Sequence, residues 1–103
     1  MTARVIVTDI ADADTAQILD EMTREAGYRT ADRFNARVED LYDRLGSHPD
    51  SCQARPKLGA NIRVGVVYPY LVVYRHAEGP NSVSIIRIIH GRRKITRRLL
   101  GNV

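Results

Sequence analysis

The sequence predicts an α+β fold: a short N-terminal strand, an antiparallel helical hairpin, then a three-stranded antiparallel β-meander with a basic C-terminal tail. Three observations point there. Apolar residues recur at helical spacing through the first half of the chain. The pattern then changes to short β-rich runs. Helices stand before strands instead of alternating with them, which argues against a doubly wound parallel sheet.

Arg4-Val5-Ile6-Val7-Thr8 is short and β-branched, as a strand requires. Thr8, Asp9 and Asp12 then offer N-cap oxygens, and Asp9, Asp12 and Asp14 suit the positive end of a helix dipole. Ile18, Leu19, Met22 and Ala26 mark the apolar side of this helix, which Gly27 ends in a left-handed conformation. A second helix starts at Thr30 or Ala31 and carries the stripe Phe34, Val38, Leu41, Tyr42 and Leu45 before Gly46, Ser47 and Pro49 stop it. So short a link folds the two helices into a hairpin. Residues 47–60 read as a loop punctuated by Pro49, Pro56 and Gly59. Three β-rich runs follow, Ile62 to Tyr68, Tyr70 to His76 and Val83 to His90, joined by connections short enough for hairpins. The unbroken apolar character of Val64–Val67 and Leu71–Val73 predicts central strands sheltered from solvent. Gly91 breaks the last strand, and Arg92 to Leu100 forms a basic tail that also contains Ile95, Leu99 and Leu100.

The 103 residues fit a single domain, residues 1–103. Hydrophobic content of 44% is too high for disorder. The formal charge of +4 hides an asymmetry: residues 1–50 hold six bases and eleven acids, residues 51–103 ten bases and one acid, Glu78. Halves so different face different partners. One cysteine, Cys52, forms no intramolecular disulfide and fits a reducing, cytoplasmic setting. The longest apolar run, Val64 to Tyr74, is 11 residues long and contains Pro69, short of the roughly 20 that a membrane helix needs, so no membrane partner is expected.

The basic end is the strongest chemical signal. Arg87, Arg92, Arg93, Lys94, Arg97 and Arg98 place six cations in 12 residues, a cluster suited to phosphates or to the carboxylates of an acidic protein. His90 beside it reads either as a proton-transfer group or as a strand-end histidine bonded to backbone. Arg87, between Ile86 and Ile88, reads either as a contact residue or as a partly covered group pinning the tail to the sheet. Tyr68, Tyr70 and Tyr74 could stack on bases, although packing is the better reading for strand tyrosines. His48 and His76 lack cysteine or carboxylate companions at metal-ligand spacing, so no metal site is expected. Cys52 has no nucleophile motif around it. No phosphate loop or nucleotide fingerprint occurs, and no cofactor is expected.

Val72-Val73-Tyr74-Arg75, followed after a variable loop by Val83-Ser84-Ile85-Ile86-Arg87-Ile88-Ile89-His90-Gly91-Arg92-Arg93-Lys94, resembles the C-terminal signature of the ParE branch of the RelE/ParE toxin superfamily. Arg55-Pro56-Lys57-Leu58-Gly59 with Ile62-Arg63 resembles the segment leading into that family's sheet, and the hairpin of residues 9–45 matches in order and length. The resemblance implies a non-enzymatic toxin of a bacterial type II toxin–antitoxin system, acting on DNA gyrase and neutralised by a ParD-like antitoxin. It implies no sequence-specific DNA binding by this chain, since operon repression belongs to the antitoxin. Arg87, His90, Arg92, Arg93, Lys94, Arg97 and Arg98 are then the expected target- or antitoxin-binding residues. Apolar anchors of the antitoxin are expected on the Phe34–Val38–Leu45 side of the hairpin or at the adjoining sheet edge.

The alternative is the RelE branch, ribosome-dependent messenger-RNA endoribonucleases of similar fold. In that case Lys57, Arg63, Arg87 and Arg93 would stabilise phosphate charge and His90 would move a proton. Counted from Gly91, the place of the RelE-like tyrosine is taken by Leu99, and no tyrosine follows Tyr74.

Overall fold

A computed structural model describes residues 2–101. The elements in chain order are strand β1 (Arg4–Val7), helix α1 (Asp9–Ala26), helix α2 (Tyr28–Ser47), strand β2 (Gln53–Ala54), a 3-10 turn (Pro56–Leu58), strands β3 (Ile62–Val67), β4 (Tyr70–Ala77) and β5 (Ser82–His90), and a short helix α3 (Arg97–Leu100). The α+β order agrees with the sequence reading, and the meander β3–β4–β5 is antiparallel throughout.

The sheet is larger than the expected meander. Its order is β1-β5-β4-β3-β2, with β1 joined parallel to β5, Val5 opposite Val83 and Val7 opposite Ile85. A parallel neighbour needs a long crossover, and the hairpin α1–α2 with β2–β4 supplies it. The stretch 47–60 is likewise not a simple loop, because Gln53 and Ala54 pair with Val64 and Arg63.

Thr8 caps α1: its Oγ1 accepts from the Ala11 N–H at 3.2 Å and donates to the Ile85 carbonyl at 2.7 Å, fastening the helix start to β5. Gly27 alone links the helices. Its φ of 88° is the positive value expected of a terminating glycine, but its ψ of 161° is extended, and α2 therefore begins at once at Tyr28 rather than at Thr30 or Ala31.

The hairpin packs on one face of the sheet. Ile18, Phe34, Val38, Leu41 and Leu45 bury against Val67, Val72, Tyr74, Val83, Ile85 and Ile88. Gly65 makes room for this contact, since a Cβ there would lie 3.1 Å from both Leu41 and Cys52. The opposite face carries a second cluster of Leu58, Ile62, Val64, Val73, Ile86 and Ile89, covered by Ile95, Leu99 and Leu100 of the tail. Burial on both faces explains why the central strands read as unbroken apolar runs. A β-bulge separates the two arrangements on β5: Val73 faces Arg87 and Tyr74 faces Ile85, leaving Ile86 as the extra residue.

Candidate functional site

The basic turn that follows β5 is built by three local bonds. The Gly91 N–H donates to the Pro69 carbonyl at 2.8 Å, the Arg93 N–H to the His90 carbonyl at 2.9 Å, and the Arg92 N–H to His90 Nδ1 at 3.0 Å. As an acceptor, Nδ1 leaves the proton of the neutral ring on Nε2. Glycine suits position 91, where a Cβ would crowd the Pro69 carbonyl oxygen at 3.0 Å. His90 is thus the strand-end histidine bonded to backbone, and its bond shapes the turn. Its ring also stacks edge-on against Tyr70 at 5.1 Å, and Tyr70 against Phe34 at 5.3 Å, tying the turn to the core.

The turn holds Arg92, Arg93 and Lys94 in solvent, and Arg97 and Arg98 at the start of α3 are exposed as well. None of the ion pairs among the described residues uses these five cations. Beside them lies an open recess of about 460 Å³, walled by Val66, Tyr68, Tyr70, Leu71, His90 and Arg92. Tyr68 at 75% and Val66 at 65% are among the most exposed large apolar side chains. A cationic rim against an aromatic recess can grip a partner that offers both carboxylates and an apolar side chain.

Arg87 stands apart from this surface. Its Nε donates to Asp14 Oδ2 at 2.7 Å, Nη2 to Asp14 Oδ1 at 3.1 Å, and Nη1 to the Leu99 carbonyl at 2.9 Å. The same Asp14 oxygen accepts from the Ile88 N–H at 3.0 Å, satisfying a donor on the stretch of β5 beyond the end of β1. The bidentate bond to Asp14 raises the guanidinium's pKa further, against the opposing effect of burial. By sequence alone Asp14 suits only the positive end of the α1 dipole. The signal for its partner was there, since an arginine between two isoleucines of a central strand needs a counter-charge from a neighbouring element.

The remaining residues of the ribonuclease set are dispersed. Arg63 Nη1 donates to the Cys52 carbonyl at 2.7 Å and the Asp50 carbonyl at 3.1 Å, with Nε 3.4 Å from the Asp50 carboxylate. It pairs with Tyr74 whereas His90 pairs with Tyr70, a separation of roughly 13 Å along the sheet. Lys57 is exposed in the 3-10 turn, and of this set only His90 and Arg93 share a local structure.

Two expectations are corrected here, and the packing reading of Tyr74 holds. Tyr74 is fully buried and donates its hydroxyl to the Pro49 carbonyl at 2.7 Å, so it packs and cannot stack on a ligand. The Phe34–Val38–Leu45 side of the hairpin, expected to meet the antitoxin's apolar anchors, is consumed by the chain's own core, with these side chains 3%, 1% and 0% exposed, which leaves the adjoining sheet edge as the expected place. His76 does have carboxylate companions: Asp50, His76 and Glu78 each place a potential ligand atom within 4.8 Å of the others. In that group His76 Nδ1 donates to Asp50 Oδ1 at 2.7 Å and Nε2 faces the Asn81 amide at 3.2 Å. With Arg63 against the same carboxylate, the group clasps residues 48–52 to β4.

Among the described residues no helix is long and apolar enough to cross a membrane. Compared with known proteins, the chain is 28% identical over 96 residues to toxin ParE3 of Caulobacter vibrioides, an alignment covering 93% of this chain and 94% of the relative. Its fold is similar to that of a chain from a chromosomal ParDE toxin–antitoxin system of P. aeruginosa, with a TM-score of 0.71, 19% identity, and coverage of 86% of this chain and 96% of that one. It is also similar to a chain of the RelBE2 toxin–antitoxin complex of Mycobacterium tuberculosis, with a TM-score of 0.62, 21% identity, and coverage of 87% and 99%. A family model described as the ParE toxin of the type II toxin–antitoxin system parDE matches residues 5–95, nearly the whole of the sheet and hairpin just described, and the chain therefore belongs to the ParE toxin family.

Proposed function

We propose that this toxin inhibits DNA gyrase without acting as an enzyme, that the exposed turn Arg92–Lys94 with its adjoining recess makes the contact, and that a ParD-like antitoxin neutralises it by covering the same basic surface. The observation carrying this reading is the set of five exposed cations, Arg92, Arg93, Lys94, Arg97 and Arg98, left without carboxylate partners among the described residues. An acidic partner finds unneutralised, solvent-facing charge there, which steers association and offers charge-assisted bonds. Tyr68 and Val66 beside the turn supply apolar area that an ion pair alone lacks.

Support for the non-enzymatic reading comes from how the ribonuclease set is used. Arg63 and Arg87 spend their donors on carbonyls and carboxylates of the chain itself. Leu99 occupies the place of the RelE-like tyrosine, and its side chain packs with the second core cluster. We read the toxin as cytoplasmic, where its target works.

Expression of the chain without antitoxin tests this. A DNA-damage response with filamentation is the expected phenotype. Rapid translation arrest with cut ribosome-bound messages would assign the chain to the ribonuclease branch instead.

A further inference from the structure

A second basic feature lies away from the turn. Arg75 on β4 pairs with Ile62 and Ser84, five residues or roughly 16 Å along the strand from Tyr70 and the turn it supports. Its Nε is sealed from solvent and has no hydrogen-bond partner among the described residues. No ion pair among the described residues includes its guanidinium. The two terminal nitrogens are left as the route by which this charge can reach an acceptor.

Arg75 lines a cavity of about 490 Å³ together with Arg97, Asn61 and Leu58, edged by Gly59 and Gly101. Among the described residues no aspartate or glutamate lines it. Gly59 at φ 145° and Gly101 at φ 76° hold backbone conformations that L side chains rarely adopt, so the rim carries no side chain there. Two guanidinium groups on one recess repel each other unless an anion lies between them, and a planar guanidinium end presents two parallel donors to an oxyanion.

We propose that the Arg75–Arg97 recess is an anion-binding site for a singly attached oxyanion, a carboxylate or a phosphomonoester. The partial burial of Arg75 selects the class. Arg75 is half-buried, so an oxyanion must protrude to reach it, and a phosphodiester, held in its backbone on both sides, cannot. The exposed Arg92–Lys94 turn imposes no such condition. The site shares Arg97 with the basic surface of the gyrase reading, whereas Arg75 plays no part in that reading.

The test follows the arginine Nε–H resonances of the full chain in nitrogen–proton spectra, titrated with inorganic phosphate, N-acetylglutamate, or a thymidine oligonucleotide lacking terminal phosphate. Arg75 Nε–H should be protected from exchange and should shift saturably with phosphate or N-acetylglutamate, but not with the oligonucleotide. A response to only one of the two small anions would support the site and name its source. Arg97→Gln, an exposed change that leaves the core alone, should weaken binding about tenfold or more, the loss expected for one charge-assisted bond. A stationary Arg75 resonance, an equal shift with the oligonucleotide, or unchanged affinity in Arg97→Gln would overturn the proposal.

Discussion

Arg87 and Asp14 form a two-pronged ion pair, 2.7 and 3.1 Å long, that joins the middle of β5 to the second turn of α1. The third prong of Arg87 reaches the Leu99 carbonyl at 2.9 Å, so one guanidinium binds helix, sheet and tail. The side chains are only 19% and 15% exposed. Removing one partner strands a largely desolvated charge. Asp14→Ala is expected to cost about 2–4 kcal/mol in urea unfolding, and Arg87→Ala a similar amount. An Arg87→Ala variant of unchanged stability would show that the pair holds nothing together.

The turn makes the opposite prediction. Arg92 and Arg93 are exposed and outside every ion pair among the described residues, so Arg92→Glu with Arg93→Glu should change stability by no more than about 0.5 kcal/mol per site. Loss of toxicity in Arg87→Ala then comes with a weakened fold. Loss in the turn variant does not. Loss of cooperative melting in the turn variant would make those arginines structural.

Gly91 tests the architecture of the turn without touching a charge. A Cβ at that position meets the Pro69 carbonyl oxygen at 3.0 Å, a backbone atom that is itself hydrogen-bonded to Gly91. Gly91→Ala should therefore cost about 1–2 kcal/mol and disturb the resonances of Pro69, Tyr70 and His90. Unaltered stability and spectra would mean that the hairpin tip and the turn do not touch.

Tyrosine ionisation separates buried from exposed rings. Burial, with Glu39 and Asp12 adding to it, pushes the Tyr42 phenol from 10.0 up to about 12. Burial likewise pushes Tyr74 upward. A raised phenol pKa means that the unfolded chain loses its proton first, near pH 10. Stability is then fully present below about pH 10 and falls as pH rises toward the folded values. Absorbance titration should show part of the five-tyrosine phenolate signal delayed until the fold opens. All five ionising together in the native protein would contradict the burial of Tyr42 and Tyr74.

Much of this was legible in the sequence because it depends on local pattern. Helical spacing marks the stripe Phe34–Val38–Leu41–Leu45, and every one of those side chains is buried. Thr8 is a recognisable cap, and the reading of Arg87 as a pin on the tail holds. What escaped depends on partners far apart in the chain. The parallel pairing of β1 with β5 joins residues 78 positions apart, and nothing in Arg4–Val7 states which strand it will meet. Asp14 meets Arg87 from 73 positions away, and Asp50 meets His76 from 26, so neither the clasp nor the Asp50 companion of His76 could be read from spacing. Tyr74 shows the same limit. Its β-strand setting was evident, but its buried hydroxyl needed the Pro49 carbonyl to be seen.

The central claim is that an exposed basic turn, and not the Arg87 clasp or a catalytic centre, carries the toxic activity. Gyrase supercoiling in the presence of the purified toxin tests it most directly, with the wild-type chain beside the Arg92→Glu, Arg93→Glu variant of matched melting temperature. Inhibition by the wild type and none by the variant is the predicted result. Equal inhibition by both, or intact supercoiling with the wild type, would contradict it.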